Sequence, residues 1–184
     1  MFFINPFIYA GGGDFESIAT VTVGSGGASS IEFTSIPSTF AHLQIRWIGR
    51  CTDSGGQRVR MRFNSDSTAA NYAVHLLRGD GSLASSSAAT NYGKAIGSGV
   101  GYSGALASTF VPCITDLLEY ASTTKYKTVR AFSGANYNTG ASDDVTLWSS
   151  LWLSTSAITS ISLFWDAGNF AQHSTAALYG VKAP

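Results

Sequence analysis

Charge is scarce in this chain. Asp, Glu, Lys and Arg make up 12% of its 184 residues, against about 25% in an average domain. They also cancel, 11 cations against 11 anions. A neutral chain with a pI near 6.8 has no positive field with which to gather a phosphate backbone, so no nucleic-acid partner is expected. Cysteine is scarce too. Cys51 and Cys113 are the only two, far apart, with no CxxC and no histidine at zinc-finger spacing. That argues against a disulfide framework or a metal knuckle and for two buried thiols. The apolar opening, "MFFINPFIYAGGG", lacks a basic leader, is broken by Asn5 and Pro6 and is too short to span a bilayer. No signal peptide and no membrane partner are expected. Helical periodicity is nearly missing: "ITDLLEYAS" alone could form a helical turn, and it lacks a convincing cap. Heptads, collagen-like triplets, β-helical repeats and a blade-like period are absent as well.

What fills the chain is alternation. "FESIATVTV" from Phe15, "SSIEFTSI" from Ser29, "AHLQIRWIGR" from Ala41, "QRVRMRF" from Gln57 and "YAVHLLRGD" from Tyr72 place apolar groups at every second residue, the period of a half-buried strand. "STFVPCITDLLEY", "YKTVRAFSG", "DVTLWSSLWL", "ITSISLFW" and "STAALYGVK" continue the pattern. Between them Ser82 to Ser108 is rich in Gly, Ser and Ala and reads as a long loop with one short strand near Tyr92 to Ile96. The class predicted is all-β: an antiparallel two-sheet β-sandwich, jelly-roll-like, of about ten strands. It spans 14–184, preceded by an extended arm over 1–13. A domain of this length can bury about 70% of its unfolded surface. So little charge on what remains implies that another chain covers part of it.

The motifs are weighed by their chemistry. In "QRVRMRF" Arg58, Arg60 and Arg62 share one face and Val59, Met61 and Phe63 the other. In a neutral chain the arginines are expected to pair with carboxylates. Gly99, Gly101 and Gly104 fit GxGxxG, but strand-like "STFVPC" follows where a dinucleotide site needs a helix, so no cofactor is expected. "RGD" at Arg78–Asp80, followed by Gly81, reads as a hairpin turn. Asn64, Asp66 and Asn71 could offer oxygens to calcium, yet only one formal charge is present. An Asx turn is the preferred reading and no metal is expected. His42, His75 and His173 lack a GxSxG elbow or paired carboxylates around them, so the chain is not read as an enzyme.

Taken in order, "FESIATVTV", "IEFTSIPSTFAHLQIR", "RMRFNSDSTAANYAVHLL", "LLEYASTTKYKTVRAFSG", "LWLSTSAITSISLF" and "STAALYGVK" resemble a widespread group of tailed-bacteriophage virion structural proteins, described as tail-fibre-like or decoration proteins. The likeness runs over nearly all of Phe15 to Lys182. It implies a non-enzymatic β-sandwich displayed on the phage particle, with capsid or tail subunits as partners and no catalytic residues. It also implies a homo-oligomer, with a trimer as the order common among phage appendages. In the arm, Phe2, Phe3, Ile4, Phe7, Ile8 and Tyr9 crowd six large apolar groups ahead of three glycines, which suits a docking device that engages a neighbouring subunit. The alternative is a receptor-binding tail-fibre or baseplate module that recognises host surface glycan. Trp148 and Trp152 would share a strand face with Ser150, and with Tyr137, Asp143 and Asp144 they form the candidate glycan-binding set. The competing fate for such large rings is the core or a subunit interface.

Overall fold

The structure is a computed structural model that describes residues 14–137 and 143–182. The arm, with Phe2, Phe3, Ile4, Phe7, Ile8 and Tyr9, lies outside the described residues. Each alternating segment becomes a strand, in chain order β1 (Phe15–Thr22), β2 (Ser30–Phe33), β3 (His42–Gly49), β4 (Gln57–Phe63) and β5 (Tyr72–Gly79). There follow β6 (Ala84–Thr90), β7 (Ala95–Gly101), β8 (Val111–Leu118), β9 (Lys127–Ala135), β10 (Asp144–Trp152), β11 (Ile161–Trp165) and β12 (Thr175–Val181). Among the described residues the strands number twelve where about ten were expected, and all pair antiparallel in two sheets of eight and four.

The strand orders, β1-β12-β3-β8-β9-β10-β5-β6 and β2-β11-β4-β7, carry the winding of a jelly roll. β5 pairs with β6, β4 with β7 and β2 with β11. These are nested pairs of a ribbon folded back on itself and wrapped across two sheets. The remaining pair of such a ribbon, β3 with β10, is held apart by the hairpin β8–β9, inserted between them. β1 and β12 extend the large sheet beyond β3.

The core lies between the sheets. Val59, Met61 and Phe63 of β4, Ile161 and Leu163 of β11, Leu43 and Ile45 of β3 and Leu178 of β12 are buried there. Trp47 meets Trp165 edge to face at 6.2 Å, and Phe63 packs on Trp152 at 5.5 Å. Close approach dictates residue type at Gly180 in β12. A Cβ there would run into the Phe40 ring, so that ring packs against bare backbone.

Two segments depart from the sequence reading. The region from Ser82 to Ser108 is not a loop with one short strand, because β6 and β7 both lie within it. Ser and Ala have weak strand propensity, but β6 is an exposed edge strand held through backbone pairing with β5. "ITDLLEYAS" continues β8 as far as Leu118, with inward and outward residues alternating, and Glu119 at φ 49 ends it. Both cysteines are free and buried. Burial pushes both thiols up, Cys113 to about 12.

Candidate functional site

The three arginines of β4 are absorbed by the protein itself. Arg58 Nη2 donates to Asp144 Oδ2 at 2.9 Å, and Arg60 Nη2 lies 2.6 Å from Asp166 Oδ2. Lys94 shares the Asp166 carboxylate. Each guanidinium also covers a ring: Arg58 that of Trp148 at 5.4 Å, Arg60 that of Tyr92 at 5.5 Å and Arg62 that of Phe164 at 4.6 Å. Desolvation raises the Asp166 carboxyl, but hydrogen bonds from Lys94 and Arg60 outweigh it and hold the group below the usual range. Arg58 and Arg60 thus meet carboxylates as expected, whereas the charge partner of Arg62 is an aromatic face.

The glycan-binding set is not assembled on the surface. Trp148, Trp152 and Tyr137 are only 6%, 2% and 1% exposed, so no ring face is left for a sugar to stack on. Trp148, Ser150 and Trp152 do share one strand face: with Asp144 and Thr146 they form the inward row of β10. The side of the sheet that this row faces is the core. Asp144 is buried between Arg58 and Arg78. Asp143 lies toward the rim, where its Oδ1 accepts the Tyr137 backbone N–H at 2.8 Å. It borders a groove of about 560 Å³ shared with Asp80 and Ser82.

The other motifs resolve into turns and braces. Asp80 Oδ1 accepts the N–H groups of Ser82 and Leu83, and Gly81 takes φ +88, so the RGD tripeptide closes the β5–β6 hairpin. Gly101 ends β7, and the segment after it is a turn region leading to β8. Arg50 braces that region by donating to the carbonyls of Ser103, Ala105, Leu106 and Thr109 at 2.8 to 3.0 Å. The single arginine in "IGRC" gives no sign of this in the sequence. His42 Nδ1 accepts the backbone N–H of Glu119 at 3.0 Å, a structural role.

Asp66 is the best satisfied carboxylate among these. Its Oδ1 accepts the Thr68 N–H, which makes the Asx turn, while Oδ2 accepts Asn71 Nδ2 and Trp152 Nε1, all at 2.8 Å. Desolvation pushes its pKa up, but these donors outweigh it and lower the group from 3.8 to about 2. A carboxyl whose folded pKa lies below its unfolded value contributes stability above the unfolded value and loses it as pH falls through the folded one. The full shift is equivalent to about 2 kcal/mol, and solvent screening at this partly exposed group reduces it to about 1–2 kcal/mol. Urea unfolding between pH 5 and pH 2 should therefore show that loss of stability in the native protein. The Asp66→Asn variant should show a correspondingly flatter profile; equal slopes would contradict the assignment.

The outer face of the large sheet is different in kind. Ile48, Leu77, Ile114, Phe132, Val145 and Leu147 stand 44–57% exposed on five adjacent strands, β3, β8, β9, β10 and β5. Scattered singly, such groups would need no explanation. Gathered on one face, they form a contiguous apolar patch of the kind that interaction sites use. Period-two patterning located these residues on strands but could not say that, among the described residues, no second layer covers their face.

Among known proteins, no family profile, curated sequence or solved structure matches this chain.

Proposed function

We infer that the chain is a non-enzymatic structural module of a tailed-bacteriophage particle, displayed on its surface and attached to capsid or tail through residues 1–13. The observation that carries this reading is the contrast between the two kinds of surface group. The carboxylates that could serve as acid, base or ligand are engaged in holding the fold: Asp66 by three donors, Asp144 by two arginines, Asp166 by Arg60 and Lys94. The large apolar groups of the outer sheet face are left open. A protein built to catalyse keeps polar groups convergent and free in a cleft, whereas one built to assemble keeps apolar surface free. The resemblance of Phe15 to Lys182 to virion structural proteins supports the same reading.

Electron cryomicroscopy of purified particles tests it. Density fitting this twelve-stranded sandwich in repeated copies on capsid or tail is the expected result. A protein recovered from infected cells yet missing from purified particles, by imaging and by peptide mass spectrometry, would end the reading.

A further inference from the structure

We propose that the apolar row on the outer face of the large sheet is the receptor for Phe2–Tyr9 of a second copy of this chain. The assignment rests on the attachment reading of the arm and names its partner. Strand register makes the row straight: Ile114 lies opposite Phe132, Phe132 opposite Leu147 and Leu147 opposite Leu77. On β3 Arg46 stands directly opposite Ile114, with Ile48 two residues beyond it opposite Pro112, and Val145 widens the row on β10. Both strands of the inserted β8–β9 hairpin contribute a side chain to it.

Length, area and charge select the arm as occupant. From β3 to β5 the row crosses four strand spacings, about 19 Å, and eight extended residues reach about 26 Å. "FFINPFIY" therefore covers the row from end to end with six large apolar groups against six. Half-exposed, those six groups present about 500 Å² of apolar surface, short of the roughly 800 Å² per partner that two folded bodies bury in a standard interface. A second sheet laid face to face would also cover Asp116 and Arg130, which pair across β8 and β9 two residues beyond Ile114 and Phe132. That burial is costly. A peptide one strand wide leaves them in water, and Phe2–Tyr9 carries no charged side chain. An arm that engages another copy's row is a head-to-tail contact, which builds a ring where the rotation closes and a filament where it does not.

Complementation tests this on the isolated protein. One variant lacks Met1–Ala10 and keeps the row; the other keeps the arm and carries Phe132→Ser with Leu147→Ser, both at exposed positions. By light scattering at micromolar concentration, the full chain should associate and each variant alone should be monomeric. Mixed, the two variants should form one-to-one pairs that grow no further. Thermal melting confirms that the row variant is folded, with Leu77→Ser as the substitute if it is not. Self-association of the arm-deleted variant would mean that rows stack on rows and would overturn the proposal. A monomeric full chain would overturn it too, whether hydrogen exchange finds the row covered by its own arm or open to some other partner. Failure to find the protein on particles would remove the virion reading while leaving pairing intact; failure to pair would do the reverse.

Discussion

Replacing Trp152 by alanine should lower unfolding stability by about 4 kcal/mol, the range for removing a large buried aromatic. In a domain of this size that corresponds to a fall of about 8–16 °C in melting temperature. The side chain is fully enclosed, packs against Phe63 at 5.5 Å and donates its indole N–H to Asp66 at 2.8 Å. Two contributions are therefore lost at once, the packing volume and a charge-assisted hydrogen bond. Trp152→Phe separates them. It keeps much of the volume and removes the donor, so it should cost about 1–2 kcal/mol. With one donor gone, the Asp66 carboxyl should also titrate closer to its ordinary value. A ring that served as a glycan platform would behave differently, losing sugar binding on truncation with little change in melting. If Trp152→Ala melted within 2 °C of the native protein, the burial described here would be wrong.

How far this could be read in advance depends on which physical signal each residue carries. Period-two alternation is strong and local, so β1 to β5 and β8 to β12 were legible. The ribbon winding also followed from an all-β chain with no repeat. β6 was not legible, because Ala84–Thr90 has no apolar alternation and is a strand only by virtue of pairing with β5. Parity placed Trp148 and Trp152 together on one face of β10, but parity cannot tell which face of a sheet is covered. That depends on the order β2-β11-β4-β7 above them, a property of long-range pairing. Lys127 shows the same limit. It is almost wholly buried, with its ammonium donating to the carbonyls of Lys125 and Thr155 at 2.7 and 3.2 Å. The Lys125 carbonyl is two residues away and the Thr155 carbonyl 28, and a backbone acceptor carries no sequence signal. Conversely, the pairing of Arg58 and Arg60 with carboxylates followed from composition, since a neutral chain that half-buries arginines must supply the compensating charge.

Asp144→Ala should be the most damaging change of a single charged group, at about 3–5 kcal/mol. The argument turns on what is left behind. Asp144 is enclosed, with its Oδ2 accepting from Arg58 Nη2 at 2.9 Å and from Arg78 Nε at 3.0 Å. An intact buried pair contributes little net stability, because desolvating both charges offsets most of their attraction. Removing one member leaves the other without compensation, and that is where the cost lies. Arg78 is a third exposed and has Asp80 3.9 Å away, so it can turn toward solvent. Arg58, less exposed and stacked on Trp148, cannot easily do so. Introducing Arg58→Met into the Asp144→Ala background should therefore recover stability, since the stranded charge is gone and an apolar stem still covers the indole. The decisive measurement is the double-mutant cycle by urea unfolding: a positive coupling of about 2 kcal/mol or more is expected. Additive losses would mean that the arginine is already solvated, and that Asp144 lies at an open rim where a ligand could reach it.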